Sequence, residues 1–193
     1  MERERERERC ALLNQVILPA ARSVKDLERM MSFRHEYIVL LETRLAQLHV
    51  LVGLAQRHGK KVLLHADLVQ GLKHDESGAQ FLCQVIKPAG IISTHSAVIA
   101  MAKKHSLISI QRVFLLDSHS LETSFRVVGA SRPDFIEVLP GIMPGIIQEV
   151  AERTQVPIIA GGFIQTEDDL RRILECGACA ISTSAEKLWR LNY

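Results

Sequence analysis

The chain alternates, eight times over, between a short apolar run and a longer amphipathic one, and few architectures accommodate that rhythm. The apolar runs are Gln15–Leu18, Tyr37–Glu42, Lys61–Asp67, Ala89–Thr94, Leu107–Arg112, Asp134–Leu139, Pro157–Ala160 and Ala178–Thr183. Most are continuous stretches rich in Ile, Val and Leu. Strands read this way when helices cover the outer face of a parallel sheet, because neither side of the strand then meets water. Helical patterns fall between them, near residues 23–31, 43–58, 75–86, 95–105, 119–128, 143–154, 166–176 and 185–191. Thr166 stands three residues before Asp169, the spacing of a capping box, and Gly59 and Gly177 stand where helices should stop.

Eight β–α units predict an α/β fold, a compact (β/α)8 barrel of the TIM type in a single domain. The 193 residues are fewer than the ~250 of a typical barrel, so the loops must be short. The competing arrangement is a doubly wound open sheet, but no G-x-G-x-x-G follows the first strand and no Walker A sequence occurs. With 47% hydrophobic residues, 24% charged residues and a formal net charge of +2, the composition excludes a disordered regulator. A chain of this length buries about 70% of its unfolded surface, enough for a core without staples.

Residues 1–13 stand apart. Glu and Arg alternate from Glu2 to Arg9, which predicts a charged, flexible tail ahead of a barrel at residues 14–193. No apolar run reaches the length of a membrane span, and the start lacks the apolar stretch of a signal peptide, so a cytoplasmic location is expected. Cys10, Cys83, Cys176 and Cys179 are too few and too irregular for a disulfide framework. The Cys176/Cys179 pair reads as packing, with redox or metal use as its alternative.

A barrel carries its site at the C-terminal ends of the strands. Glu42 ends the second run, His65 and Asp67 the third, and Arg112 the fifth. Glu137 lies inside the apolar I-E-V-L, where a buried carboxylate needs a partner. These groups suit a hydroxyl-rich ligand, or a divalent ion such as magnesium held by Glu42, His65, Asp67 and Glu137. Lys73, on the third βα loop, either reaches an anion or is a solvated charge. Gly161 and Gly162 after the seventh strand, with Ser182 and Thr183 ending the eighth, predict a phosphate site. Glycines admit close backbone approach, and free N–H groups with a helix end favour an anion. The plainer reading of the same residues is a tight turn and a cap.

Five segments then acquire a common meaning. L-H-A-D-L-V-Q-G-L-K (64–73), K-P-A-G-I-I-S-T (87–94), Q-R-V-F-L-L-D-S (111–118), D-F-I-E-V-L-P-G (134–141) and P-I-I-A-G-G-F-I (157–164) resemble the glycerol-3-phosphate-responsive antiterminators, regulators of bacterial glycerol-uptake operons. The resemblance spans residues 14–190. It implies a small (β/α)8 barrel and an RNA-binding regulator rather than an enzyme, with no catalytic residue, no cofactor and glycerol-3-phosphate as effector. It implies action on the leader mRNA of glycerol-metabolism genes, where premature termination is prevented. Carried onto this chain, it sets the ligand's phosphate near Gly161, Gly162, Ser182 and Thr183. The ligand hydroxyls then meet some of Glu42, His65, Asp67, Lys73, Arg112 and Glu137. A homo-oligomer fits this reading, and a membrane partner does not.

No KH-type clamp or paired RRM aromatics occur, and aromatics are only 5% of the chain, so phosphate contacts must carry much of any RNA binding. The helix-to-strand connections are the basic ones, with Lys60, Lys61, Lys103 and Lys104 as the candidate contacts. The strand-to-helix side holds Glu42, Asp67, Asp75, Asp117, Glu137 and Asp169. An acidic mouth and a basic far end are therefore expected, although cations favour helix C-termini on dipole grounds alone. The rival function is a metal-assisted phosphodiesterase, aldolase or isomerase acting on a small sugar or polyol phosphate, with Glu42, His65, Asp67 and Glu137 as acid, base or ligands. A third is a phosphate-ligand sensor that binds a protein partner.

Overall fold

The computed structural model describes residues 13–191 and 193. Eight parallel strands close into a barrel: β1 (Ile17–Ala21), β2 (Tyr37–Leu40), β3 (Lys61–His65), β4 (Gly90–Ser93), β5 (Ile108–Phe114), β6 (Phe135–Leu139), β7 (Ile158–Gly161) and β8 (Ala178–Thr183). Each neighbours the next in sequence, and β1 pairs with β8 to shut the ring. Each strand is followed by a helix: α1 (Val24–Met30), α2 (Leu45–Arg57), α3 (Glu76–Phe81), α4 (Ser96–Lys104), α5 (Ser118–Ser131), α6 (Pro144–Thr154), α7 (Glu167–Glu175) and α8 (Glu186–Trp189). A wider π turn over Leu82–Ile86 continues α3.

The strands alternate with period two. Leu18, Ala20, Val39, Leu63, Ile92, Ile110, Phe135, Ile159 and Ala180 fill the barrel interior. Their neighbours, such as Ile38, Leu64, Ile91, Ile136 and Ile181, pack outward under the helices. Both faces are thus apolar, which is why the strands read as unbroken hydrophobic runs. Four of the eight helix starts are set by side-chain caps. Ser23 accepts from Asp26 N, Asp75 from Gly78 N, and Asp117–Ser120 and Thr166–Asp169 form reciprocal boxes. α2 and α7 stop just before Gly59 and Gly177, where expected.

Several boundaries differ from the sequence expectation. β1 lies at Ile17–Ala21 rather than 15–18, because the Gln15 amide ties the strand entrances together. Its Nε2 donates to Ile17 O and Tyr37 O, and its Oε1 accepts from Tyr37 N. β2 stops at Leu40 and leaves Glu42 on an exposed loop. The next residues, Thr43–Arg44, pair with Val69–Gln70 as a two-residue parallel ladder outside the barrel. β5 continues to Phe114, so Arg112 sits within the strand instead of ending it. Leu13 is buried in the barrel interior, so the tail boundary at residue 13 cuts into the fold. The Glu-Arg run and Cys10 lie outside the described residues. Among the described residues, Cys83 and Cys176 form no disulfide. Among the described residues, no helix is long and apolar enough to cross a membrane.

Candidate functional site

The same alternation that fills the barrel with apolar side chains places a polar layer directly above them. Two residues beyond Leu63, Ile110, Phe135, Ile159 and Ala180 come His65, Arg112, Glu137, Gly161 and Ser182. Four of the five sit in the C-terminal half of their strands, and Glu137 sits at the middle of its own. Arg112 and Glu137 are paired residues in the β5–β6 register. Arg112 Nε donates to Glu137 Oε2 at 2.6 Å, with side chains 9% and 1% exposed. Ser182 Oγ donates to the other carboxylate oxygen, Glu137 Oε1, also at 2.6 Å. Glu137 therefore has the partners that its apolar setting demanded. Gly161 leaves the space this chain of bonds requires: a Cβ there would stand 2.7 Å from Ser182 Oγ and 3.2 Å from Glu137 Oε1.

His65 is buried, and among the described residues neither ring nitrogen has a hydrogen-bond partner. Burial pushes its pKa down to about 4, and the Arg112 guanidinium adds to the effect against the opposing pull of Glu137 and Asp67. The ring is neutral at ordinary pH and presents one donor and one acceptor. Gln111 Oε1 is likewise buried and unpartnered, while its Nε2 donates to Ser93 O and Thr94 O. Buried polar atoms without partners are few in native proteins and call for a water or ligand.

A cavity of about 580 Å³ opens above this layer. Arg112, Ser182 and Thr183 line it with Glu42, Gly162 and Phe163, and Arg22 and Lys187 add two further cations. Gly162 takes φ of 82° and Phe163 φ of 61°, so two successive left-handed residues turn the β7–α7 loop across the opening. Thr183 is a tie rather than a free donor, since its Oγ1 donates to Ile164 O and accepts from Ala185 N. α8 spans only four residues, so its dipole adds little for an anion and the loop amides and cations must do more.

Other expected residues stand elsewhere. Asp67 accepts from Ser93 Oγ at 2.5 Å, Thr94 N at 2.7 Å and Thr94 Oγ1 at 2.7 Å, which fastens the β4–α4 loop. Burial works against its charge, but those donors outweigh it and hold the carboxyl below its usual range. Lys73 is exposed on the loop before α3 and does not line the cavity. The four residues of the magnesium alternative do not come together: among the described residues, no three His, Cys, Asp or Glu side chains gather as a metal group. Arg22, Lys187 and Phe163 were not singled out from sequence. Lys187 had a signal, since it lies just past the strand that supplied Ser182 and Thr183.

The far end also departs from expectation. Lys60 is buried, and its Nζ donates to Phe33 O and to His35 O, so it offers nothing to a phosphate. Lys61 pairs with Glu36 at 2.7 Å. Lys103 donates to Arg132 O and lies 3.7 Å from Asp134. Lys104 remains exposed without a partner among the described residues. At the mouth, Asp75, Asp117 and Asp169 are engaged as caps. The expected acidic mouth and basic far end are thus mostly neutralised in place, because the acids cap helices and the cations meet nearby carbonyls and carboxylates.

Comparison with known proteins adds a direct finding. Residues 17–189 match the family described as glycerol-3-phosphate responsive antiterminator. A crystal structure of a glycerol uptake operon antiterminator regulatory protein from Listeria monocytogenes is similar at 45% identity and a TM-score of 0.91, covering 93% of this chain and 97% of that one. An antiterminator-related protein from Thermotoga maritima is similar at 27% identity and a TM-score of 0.81, over 92% of this chain and 99% of that one. The uncharacterized protein YgcP of Escherichia coli K12 is 33% identical over 176 residues, 90% of this chain and 92% of its own.

Proposed function

The chain belongs to the glycerol-3-phosphate responsive antiterminator family, and from that membership we propose that it binds glycerol-3-phosphate in the barrel mouth and then acts on the leader mRNA of glycerol-metabolism genes, in the cytoplasm. One observation carries the ligand assignment. Arg112 is gripped through Nε by Glu137, which leaves the two terminal nitrogens of its fork without a partner among the described residues while the side chain lines the cavity. Such a fork matches the geometry of a phosphate, and its being held in place lowers the cost of binding. Lys187, Arg22 and the amide of Gly162 supply the remaining positive potential. The glycerol hydroxyls suit the unpartnered nitrogens of His65, which stands in the same layer as Arg112 and can donate through one and accept through the other.

Two arrangements favour a regulator over a lyase or hydrolase. Glu137 is held by Arg112 and Ser182, so it is not poised as a base. Lys60, the buried lysine, lies at the far end of the barrel, and Lys187, which lines the mouth, is exposed rather than desolvated as a Schiff-base lysine is. Calorimetry with glycerol-3-phosphate tests the ligand site, and Arg112→Gln should abolish the binding heat while the protein stays folded. Leader-transcript binding measured with and without glycerol-3-phosphate tests the regulatory role. Absence of RNA binding in both states would defeat it.

A further inference from the structure

The rim of the barrel mouth is divided by chemistry, and the division follows strand order. After β8, β1, β2 and β3, which are consecutive around the ring, stand the four cations Lys187, Arg22, Arg44 and Lys73, with one exposed carboxylate, Glu42, among them. All four cations are exposed, and none has an ion-pair partner among the described residues. At the ends of β5, β6 and β7, also consecutive, stand Phe114, Leu116, Ile142 and Phe163, exposed by 47%, 81%, 45% and 73%. Large apolar side chains gathered on adjacent loops mark a contact surface, whereas scattered ones do not. Phe163 strengthens the point. A bulky aromatic residue in the left-handed region is uncommon, and such conformations concentrate at binding sites.

The two arcs together narrow the partner. A second protein copy fits the apolar arc but leaves four unpaired cations facing it. Duplex RNA supplies phosphates but hides its bases inside the stack. An unpaired RNA loop offers both a phosphate chain and splayed bases with apolar faces. We propose that the mouth rim is the RNA-binding surface, with Lys187, Arg22, Arg44 and Lys73 tracking the backbone and bases packing on Phe114 and Phe163 beside Leu116 and Ile142. This rests on the RNA-binding role stated above and gives that role a place. It also supplies a coupling route. Arg22, Phe163 and Lys187 line the ligand cavity as well as the rim, so a ligand there contacts side chains that the RNA contacts. No signal has to cross the packed barrel interior.

The test titrates the full chain against a fluorescein-labelled leader transcript of a glycerol operon, by anisotropy at several salt concentrations with glycerol-3-phosphate present. Arg44→Gln/Phe114→Gln/Leu116→Gln alters three exposed side chains that do not line the cavity. RNA affinity should fall by about tenfold or more, as expected when a stacked base loses its platform. The salt slope should flatten by about 0.7 for the removed cation, and by as much again when Lys73→Gln is added. Calorimetric affinity for glycerol-3-phosphate and the melting temperature should match the native chain. Rim-variant RNA binding within about twofold of native overturns the rim placement and leaves the RNA role standing. So does loss of RNA binding only in Lys61→Gln/Lys104→Gln. A rim variant that dissociates a native dimer in ultracentrifugation, with RNA affinity unchanged, reassigns the face to self-association and also overturns it. A native chain that binds no RNA removes the role itself.

Discussion

Arg112 and Glu137 occupy paired positions on neighbouring strands and form a buried ion pair at 2.6 Å through the guanidinium Nε. The bond uses the inner nitrogen of the guanidinium and leaves the outer fork available. A charged pair in this setting is costly to break, because the remaining partner stays buried without compensation. Glu137→Gln should therefore cost about 3 kcal/mol in urea unfolding. The same variant should weaken glycerol-3-phosphate binding, since Arg112 loses its anchor. A variant as stable as the native chain would show that the pair is dispensable to the fold.

His65 makes stability depend on pH. Its pKa is about 4 in the folded chain against an ordinary 6.5, so the unfolded chain binds the proton more readily. Its contribution is fully present above pH 6.5 and is lost as pH falls from there toward about 4. Integrated over that interval, it amounts to about 3 kcal/mol at most. His35, also lowered by burial, acts in the same direction, so the measurement must compare variants. His65→Gln should flatten the stability profile between about pH 4.5 and 6.5 in urea titrations. An unchanged slope would place the acid sensitivity elsewhere.

Lys60 anchors the far end of the barrel through the carbonyls of Phe33 and His35, and burial lowers its pKa. Lys60→Gln should destabilise the fold by about 2 kcal/mol, from the lost charged donor and the stranded carbonyls. RNA affinity of the folded variant should match the native value. A selective loss of RNA binding at native stability would return this lysine to the interface.

Phe163 holds φ of 61° while its ring stands in solvent. Phe163→Ala removes the ring but keeps a Cβ in the left-handed region, whereas Phe163→Gly removes both. The glycine variant should be the more stable of the two by about 1 kcal/mol, a difference of roughly 2–4 °C in melting temperature. Equal melting temperatures would mean that the loop relaxes once the ring is gone.

Gly161 admits the Ser182–Glu137 bond by having no side chain. Gly161→Ala should displace the Ser182 hydroxyl and cost about 1 kcal/mol for the lost hydrogen bond. In Gly161→Ala/Ser182→Ala the obstruction is gone, so the two changes should not add. A strictly additive cycle would show that the Cβ is accommodated some other way.

Much of the fold was legible because each layer of evidence pointed to the same architecture. Eight apolar runs with helices between them required a parallel sheet covered on its outer face. Glu137 announced a buried partner by its place within I-E-V-L, and Gly161 and Ser182 marked the site by standing at strand ends. The neighbours of a charge are not legible in the sequence. Asp67 ends an apolar run as a ligand-binding carboxylate would, and in the fold it accepts from Ser93 and Thr94. Lys60 reads as a surface cation, and the chain folds it inward onto two carbonyls.

The sequence by itself determined the barrel, its helix caps and the layer of polar residues above the apolar filling, because these follow from periods of two and 3.6 along the chain. Only the tertiary structure decided which charges are free. That depends on residues far apart in sequence: Arg112 meets Glu137, Ser182 meets Glu137, and Lys60 meets Phe33. A side chain's hydrogen-bonding capacity is finite, so a group engaged across the fold cannot also serve a ligand. The exposed cations of the β8–β3 arc and the apolar side chains of the β5–β7 arc became visible only once strand order set them side by side.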